Sequence, residues 1–76
     1  MDVTQKALEI VAAISGKDVA DLDPKLDLVA DLGIDSPKAL QLLLDLEDTL
    51  EIEISDEDAA KMDTVGDILG YLGNLA

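Results

Sequence analysis

The chain is 76 residues long, with five lysines, no arginine, 18 acidic residues and a net charge of −13 at pH 7. It contains neither cysteine nor histidine, which excludes disulfides and the usual zinc ligands, and its charge excludes a nucleic-acid binder because nothing in it can neutralise a run of phosphates. Leu, Ile and Val nevertheless make up 25 of the 76 residues, too many for a disordered acidic chain, so we expect a single small domain over residues 1–76 with an aliphatic core.

The first predicted element is an amphipathic helix over about residues 3–15. Asp2 is its predicted N-cap, and Gly16 suits the left-handed position that follows the last turn of a helix. The apolar residues that recur there at helical spacing are Val3, Ala7, Ile10, Val11 and Ile14.

A long loop is predicted between the first helix and residue 35. It contains Pro24 and Gly33, and no helical period is sustained in it. Structureless loops of about 20 residues are uncommon in compact domains, so its recurrent aliphatic residues indicate an ordered loop held against the helices. We expect a short helical turn near Lys17–Asp21. The aliphatic residues concerned are Val19, Leu22, Leu26, Leu28, Leu32 and Ile34.

The second helix is predicted to begin after Ser36 and to end near Leu50. Pro37 fits the first helical position, where its missing N–H costs nothing, and a residue before proline is disfavoured in the α region. These two preferences make Ser36 the predicted N-cap. An extended connector is predicted over residues 51–54, because their alternating pattern has no partner strand. The core-facing stripe of the helix comprises Ala39, Leu42, Leu43, Leu46 and Leu50.

Two further helices complete the predicted fold. Ser55 and Asp58 form a capping box that predicts a short helix over about Asp56–Met62. Thr64 and Asp67 repeat the signal and open the last helix. Its predicted buried stripe comprises Val65, Ile68, Leu69, Leu72 and Leu75. The fold class is therefore all-α: a small bundle of three main helices plus one short helix, with a long ordered loop between the first and second helices.

Ser36 is the candidate residue for covalent chemistry. A phosphate on its hydroxyl would meet free backbone N–H groups and the positive end of the second helix. The alternative is an ordinary capping serine, like Ser55, which carries no chemical signal.

A second face of the same helix projects away from the core stripe. On it, Leu40 and Leu44 are edged by acidic residues, which favours a docking surface for a basic partner; burial under the loop or the third helix is the alternative. Asp45–Asp58 holds eight acids and no base, and we interpret this run as a solvated face without a metal site, since no calcium-loop spacing occurs. The second face comprises Ser36, Pro37, Leu40, Gln41, Leu44, Glu47, Asp48 and Glu51.

The hexapeptide Asp31–Ser36, which reads DLGIDS, resembles the D-L-G-x-D-S signature of acyl carrier proteins. The amphipathic first helix, the loop rich in Asp and Leu, the acidic second helix and the segment Ile54–Val65 are also similar to that family, so the likeness covers nearly all 76 residues. The resemblance implies an arm of 4′-phosphopantetheine, derived from coenzyme A and attached covalently to Ser36, with Asp35 contributing to recognition beside it.

The resemblance further implies a carrier without catalytic activity, modified by a phosphopantetheinyl transferase. Acyl intermediates would be held as thioesters on the arm, sheltered by the aliphatic bundle, and presented to fatty-acid, polyketide or related lipid biosynthetic enzymes with basic patches. We expect no signal peptide, because no basic region followed by an apolar stretch opens the sequence, and no membrane span, because no apolar run reaches the necessary length. We expect a cytoplasmic monomer. The residues expected to contact partners are Pro37, Lys38, Leu40, Gln41, Leu44, Glu47 and Asp48.

Three positions depart from the usual pattern of the family. Pro37 stands where leucine is usual, and Lys38 and Gln41 replace frequent acids, so the start of the second helix is less negative and less apolar. These departures favour a specialised carrier over the general fatty-acid carrier. The alternatives that stay open are a carrier of aminoacyl or D-alanyl groups and an unmodified acidic interaction module.

Overall fold

The computed structural model describes residues 3–75, with side chains as far as residue 74, as an all-helical protein, which confirms the predicted fold class. The N-cap predicted at Asp2 and the burial predicted for Leu75 lie outside what is described. That residues 1–76 form a single domain stays a prediction. The described elements are α1 Val3–Ser15, a 3₁₀ turn Val19–Asp21, α2 Ser36–Leu50, α3 Asp56–Ala59 and α4 Val65–Leu75.

The core lies where α1 packs against α2 and α4. Residues three and four apart share one face of a helix, which is why α1 buries Ala7 and Val11 while α2 buries Leu42 and Leu46. No polar side chain of the described residues is buried. The buried residues are Ala7, Val11, Ala12, Leu22, Leu28, Leu32, Ile34, Leu42, Leu46, Ile54, Val65, Ile68 and Leu72.

The end of α1 and the order of the following loop are confirmed. Gly16 has a φ of 74°, which an L side chain rarely adopts, and its N–H donates to the carbonyl of Ala12 at 2.9 Å. The 3₁₀ turn Val19–Asp21 lies inside the predicted range. Leu22 and Leu28 of the loop are buried, so aliphatic contacts hold this loop on the bundle.

Backbone hydrogen bonds join the loop to the start of α4. The N–H of Leu28 donates to the carbonyl of Asp63 at 2.9 Å. Gly66 approaches the loop most closely, since its N–H donates to the carbonyl of Pro24 at 2.8 Å. A Cβ added at Gly66 would lie 2.9 Å from that same carbonyl oxygen. This position therefore requires glycine because of a close backbone approach.

The connector after α2 has no helix or strand over residues 52–54, and Glu47 holds its far end, but the extended conformation predicted for its first residue, Glu51, is wrong. Glu51 ends the helix in the left-handed region with φ 55° and ψ 48°. The carbonyl of Glu47 accepts from the N–H of Ile52 at 3.1 Å, and its carboxylate Oε2 accepts from the N–H of Ile54 at 3.0 Å. Ile54 is buried, so the connector ends anchored in the core.

The predicted start of α3 is confirmed, but its predicted end is wrong. Ser55 Oγ accepts from the N–H of Asp58 at 3.1 Å and caps the helix. The helix ends at Ala59 rather than Met62, because the N–H groups of Lys61 and Met62 bond to carbonyls three residues back. Such bonds tighten the last turn into 3₁₀ geometry and end an α-helix.

The capping box predicted for α4 is confirmed in both directions. Thr64 Oγ1 accepts from the N–H of Asp67 at 3.1 Å, and Asp67 Oδ2 accepts from the N–H of Thr64 at 3.1 Å and of Asp63 at 3.0 Å. The bonds from the N–H groups of Asp63 and Thr64 lower the pKa of Asp67, because they stabilise the carboxylate over the acid. The carboxylate therefore acts as a structural acceptor.

Candidate functional site

The segment before α2 is folded by its own carboxylates. Asp27 Oδ1 accepts from the N–H groups of Val29 at 2.9 Å and Ala30 at 2.8 Å. Asp31 Oδ2 accepts from the N–H of Asp27 at 2.7 Å. Because these acceptors satisfy N–H groups that no helix or sheet engages, they hold the loop in a fixed turn. The first residue of the DLGIDS hexapeptide is therefore structural.

The next three residues of the hexapeptide bring Ser36 to the surface. Leu32 and Ile34 are 5% and 1% exposed, and both are part of the core. Gly33 between them has a φ of 66°, a left-handed turn that glycine adopts without steric cost. The N–H of Ile34 donates to the carbonyl of Leu28 at 2.9 Å. Two buried side chains around one turn thus fix where α2 begins.

Asp35, not Ser36, is the N-cap of α2, so the predicted cap is wrong by one residue. Asp35 is extended, with φ −79° and ψ −175°; its carboxylate accepts from the N–H of Lys38 at 3.2 Å, and its carbonyl accepts from the N–H of Ala39 at 2.7 Å. A carboxylate that reaches the third helical N–H caps a helix, and this outweighs the bias that Pro37 places on the residue before it. Pro37 is thus the second helical residue rather than the first.

Ser36 occupies the first turn of α2 and is exposed. Among the described residues its hydroxyl has no hydrogen-bond partner. The sequence predicted several free backbone N–H groups around the Ser36 hydroxyl, but fewer are available. Pro37 has no N–H group, and the N–H of Lys38 already donates to the carboxylate of Asp35. The helix dipole still favours negative charge there, and no acid follows in the first turn. An accessible, uncommitted oxygen fits a covalent phosphodiester.

Leu40 and Leu44 lie exposed on the outer face of α2. Their side chains are 58% and 51% exposed, so the alternative in which the bundle buries them is wrong. Leu40 follows Ser36 by one turn on the same face. Lys38 is also exposed, but at 100° per residue it lies about 160° around the helix from Leu40. The two leucines therefore share a face with Ser36, whereas Lys38 belongs to another flank.

Two other predicted partner-binding residues already have partners within the protein. Gln41 Nε2 donates to Asp45 Oδ1 at 2.8 Å. Glu47 is half-buried, and its carboxylate holds the N–H of Ile54. The exposed members of the predicted set are Pro37, Lys38, Leu40, Gln41, Leu44 and Asp48.

An apolar cavity opens between the loop, α2, α3 and α4. Its walls come from segments far apart in the chain, so the sequence suggested a shelter but could not locate it. All ten residues that line the cavity are hydrophobic, which favours an apolar ligand over a polar one. The lining residues are Leu28, Val29, Ile34, Ala39, Leu42, Leu43, Leu46, Ala59, Met62 and Ile68.

Tyr71 of α4 packs near the connector and α3. Its hydroxyl donates to the carbonyl of Glu53 at 3.5 Å. Partial burial, and then the nearby carboxylates of Asp58 and Glu47, raise the pKa of the phenol, so it stays a neutral donor at physiological pH. No three potential ligands within residues 3–75 are grouped to hold a metal ion, and no helix there combines the length and apolarity needed to cross a membrane.

Comparison with known proteins adds independent information on this site. Residues 5–72 match the protein family described as the phosphopantetheine attachment site. An acyl carrier protein of Exiguobacterium sp. is 44% identical over 64 residues, which cover 84% of this chain and 81% of that protein. An acyl carrier protein of Desulforapulum autotrophicum is 40% identical over 73 residues, which cover 95% of each.

Solved structures show the same fold. A Mycobacterium tuberculosis protein described as a candidate acyl carrier protein is similar with a TM-score of 0.89 and 32% identity, covering 99% of this chain and 100% of that one. The acyl carrier protein of Enterococcus faecalis is similar with a TM-score of 0.78 and 30% identity over the whole of both chains.

Proposed function

Because the chain belongs to the phosphopantetheine-attachment family of acyl carrier proteins, we propose that Ser36 is the residue to which its 4′-phosphopantetheine arm is attached. Members of this family are carriers without catalytic activity that a phosphopantetheinyl transferase activates, and this chain is one of them. Biosynthetic enzymes then recognise the loaded carrier.

This proposal rests on the hydrogen bonding of the three serine hydroxyls. Ser15 Oγ donates to the carbonyl of Ala12 at 3.4 Å. Ser55 Oγ accepts from the N–H of Asp58 and caps α3. Ser36 is exposed and its hydroxyl is uncommitted within the described residues. A transferase therefore reaches the Ser36 oxygen without breaking a hydrogen bond of the fold.

The residues around Ser36 present its oxygen to the transferase. Asp35 caps the helix in its place, and buried Ile34 fixes the chain directly before the cap. When attached, the arm supplies a terminal thiol that carries an acyl group as a thioester, a group that a chain without cysteine cannot provide. The protein's own part is to position the oxygen, to be recognised and to shelter the cargo.

The apolar cavity supports an acyl cargo over an aminoacyl or D-alanyl cargo. Its lining has no polar side chain, so a hydrocarbon tail gains by leaving water. An ammonium group placed there would lose its hydration without a partner. We therefore propose service in fatty-acid, polyketide or related lipid biosynthesis, with the protein acting in the cytoplasm.

The exposed face of α2 supports docking of a partner with a basic rim. Leu40 and Leu44 offer exposed apolar anchors one and two turns after Ser36 on the same helix face, and Asp48 adds exposed negative charge. Pro37 and Lys38 make the beginning of this helix less apolar and less negative than is usual. We propose that these two positions select a dedicated partner rather than the general fatty-acid enzymes.

The test of the attachment residue is a pair of matched variants. Ser36→Ala and Ser55→Ala each remove one exposed serine hydroxyl. After incubation with coenzyme A and a competent transferase, intact-mass measurement is expected to show the arm on the wild type and on Ser55→Ala, and none on Ser36→Ala. An arm on Ser36→Ala would contradict the assignment. The mass of protein isolated from its native cell identifies the cargo, and a mass without an arm would instead favour the unmodified interaction module.

A further inference from the structure

Two backbone hydrogen bonds connect the junction of α3 and α4 with the residues before Ser36. The N–H of Leu28 donates to the carbonyl of Asp63 at 2.9 Å, and the N–H of Ile34 donates to the carbonyl of Leu28 at 2.9 Å. Ile34 is 1% exposed and lies just before Asp35 and Ser36. The orientation of these two carbonyls therefore affects where Ser36 is held.

The carboxylate of Asp67 orients the first of the two carbonyls. Because the peptide bond is planar, the carbonyl of Asp63 and the N–H of Thr64 are opposite sides of one rigid unit. Asp67 Oδ2 accepts from the N–H of Thr64 at 3.1 Å and from the N–H of Asp63 at 3.0 Å. These bonds lower the pKa of Asp67, so the charged form is the acceptor at neutral pH. The Asp63 carbonyl is thus directed away from the carboxylate and toward Leu28.

The carboxylate of Asp27 orients the second carbonyl in the same way. The carbonyl of Leu28 and the N–H of Val29 belong to one planar peptide unit, and Asp27 Oδ1 accepts from that N–H at 2.9 Å. Asp27 is itself held, since its own N–H donates to Asp31 Oδ2 at 2.7 Å. Each carbonyl on the route to Ile34 is therefore fixed by a carboxylate on the opposite side of its peptide unit.

We infer that Asp67 and Asp27 are positioning residues for the transfer of the arm to Ser36, an inference that rests on the function proposed above. In that transfer the Ser36 oxygen forms a bond to phosphorus, the nucleotide part of coenzyme A leaves with the electron pair of the broken P–O bond, and the serine proton passes to a base of the transferase. The two carboxylates take no part in these steps. They act through Leu28 and Ile34, and misplacement of a reacting atom by about 1 Å slows a reaction by up to about a hundredfold.

The expected loss falls on kcat rather than on the KM for the carrier. Leu40 and Leu44, the proposed docking residues, lie on α2 beyond the attachment residue, so the transferase still binds a carrier whose Ser36 is misplaced. The serine oxygen then has to reach its reactive position after docking, which slows only the reaction of the bound carrier.

The experiment uses Asp67→Ala and Asp67→Asn with a matched control. Asparagine keeps an oxygen that accepts N–H groups, whereas alanine has none. Ser55→Ala is the control, because it also removes a capping acceptor, that of α3, which is not on the route. Arm transfer from coenzyme A by a competent transferase is measured against carrier concentration, well below every unfolding midpoint. Asp67→Ala is expected to lower kcat severalfold with KM unchanged, while the other two variants stay close to the wild type.

Amide hydrogen exchange of the unmodified proteins tests the route without a transferase. In Asp67→Ala the N–H groups of Leu28 and Ile34 are expected to exchange about fivefold faster, since loss of a cap favours local opening by about that factor. In Ser55→Ala both should exchange at the wild-type rate, because the opening that exposes them does not involve α3.

Three results would overturn the inference: a kcat of Asp67→Ala equal to that of the wild type, a kcat of Asp67→Asn as low as that of Asp67→Ala, or exchange of the same two N–H groups no faster in Asp67→Ala than in Ser55→Ala. An arm on Ser36→Ala would instead overturn the proposed function and leave the exchange result standing. If Asp67→Ala does not fold, Asp27→Ala and Asp27→Asn apply the same comparison to the second carboxylate.

Discussion

At the scale of single residues, the hexapeptide DLGIDS divides structural and chemical roles between neighbours. Asp31 folds the loop, Gly33 turns it, and Asp35 caps α2. Because Asp35 satisfies the helix N-terminus, the oxygen of Ser36 is not needed for stability. The residue proposed to carry the arm thus has no structural role in capping the helix, because the residue before it performs that role.

This division of roles gives the first stability prediction. Asp35→Ala removes the cap and is expected to lower the free energy of unfolding by about 1 kcal/mol, or the midpoint by about 4–8 °C. Ser36→Ala is expected to lower it much less, since Ser36 caps nothing. Urea or thermal unfolding of the unmodified proteins measures both. Ser55→Ala, which removes the cap of α3, is the positive control, and a larger loss for Ser36→Ala than for Asp35→Ala would refute the assigned cap.

At the scale of elements, local capping interactions set where a helix begins, and contacts between distant segments position that helix against the rest of the protein. The capping box of Thr64 and Asp67 is local and starts α4 by itself. The backbone of Gly66 then lies against the loop at Pro24, which brings the long loop over the bundle. Gly70, one turn further, has no atom within 4 Å of an added Cβ.

The two glycines of α4 therefore respond oppositely to the same substitution. Gly70→Ala is expected to raise the free energy of unfolding by about 1 kcal/mol, because alanine is the better helix former and nothing obstructs its methyl group. Gly66→Ala gains the same propensity, but its methyl group meets the carbonyl of Pro24, and overpacking of this kind costs about 1–3 kcal/mol. Chemical denaturation measures the free energy of unfolding of both variants. Equal effects of the two substitutions would show that the loop yields freely at Pro24.

At the scale of the whole molecule, a compact body carries a large unbalanced charge. The radius of gyration is 11.0 Å and the extents are 26 × 25 × 19 Å, while the net charge is −13. Every point of the surface therefore lies within a few Debye lengths of every other, since that length is about 10 Å at 0.1 M salt. Folding concentrates like charges that the unfolded chain keeps further apart.

Added salt should consequently raise the midpoint of thermal unfolding at neutral pH. Millimolar magnesium should raise it as well, through diffuse screening, because residues 3–75 hold no cluster suited to a metal ion. Glu53→Gln with Glu57→Gln removes two exposed charges from the acidic run and serves as the matched variant. It is expected to unfold at a higher temperature than the wild type in low salt and to converge with it in high salt. If the unfolding midpoint of the wild type were unchanged or lowered by both salt and magnesium, repulsion between like charges would not limit the stability of this protein.

Electrostatic attraction of a basic partner depends on the charge of the whole molecule, and we propose that Pro37 and Lys38 alter recognition next to Ser36, the proposed attachment residue. Pro37→Leu with Lys38→Asp is expected to increase severalfold the initial rate at which a general fatty-acid transferase modifies the carrier. The part of this rate increase that comes from Lys38→Asp should become smaller in high salt, since charges at the rim of an interface act mainly on the association rate. The part that comes from Pro37→Leu should remain. Lys61→Asp, an exposed change elsewhere, is the control. Equal initial modification rates for the wild type and the double variant in both buffers would mean that the transferase does not recognise residues 37 and 38.

Local patterns in the sequence were enough to predict the helical class, the bounds of α1, the end of α2, and the starts of α3 and α4. These features depend on signals that lie within a few residues of one another: a repeat of 3.6 residues on one face, a glycine after the last turn, and a side chain that meets an N–H three residues away. Local patterns also indicated Ser36, through the hexapeptide that ends at this residue.

The features that depend on residues distant in sequence, and the identity of the N-cap of α2, became clear only in the folded chain. The sequence predicted Ser36 as the N-cap of α2, whereas burial of Ile34 placed Asp35 where its carboxylate reaches the helix. The exposure of Leu40 and Leu44 depends on whether another segment covers them. The apolar cavity draws its walls from the loop and three helices. Local patterns encode local hydrogen bonds, whereas close packing is settled only when the whole chain has folded.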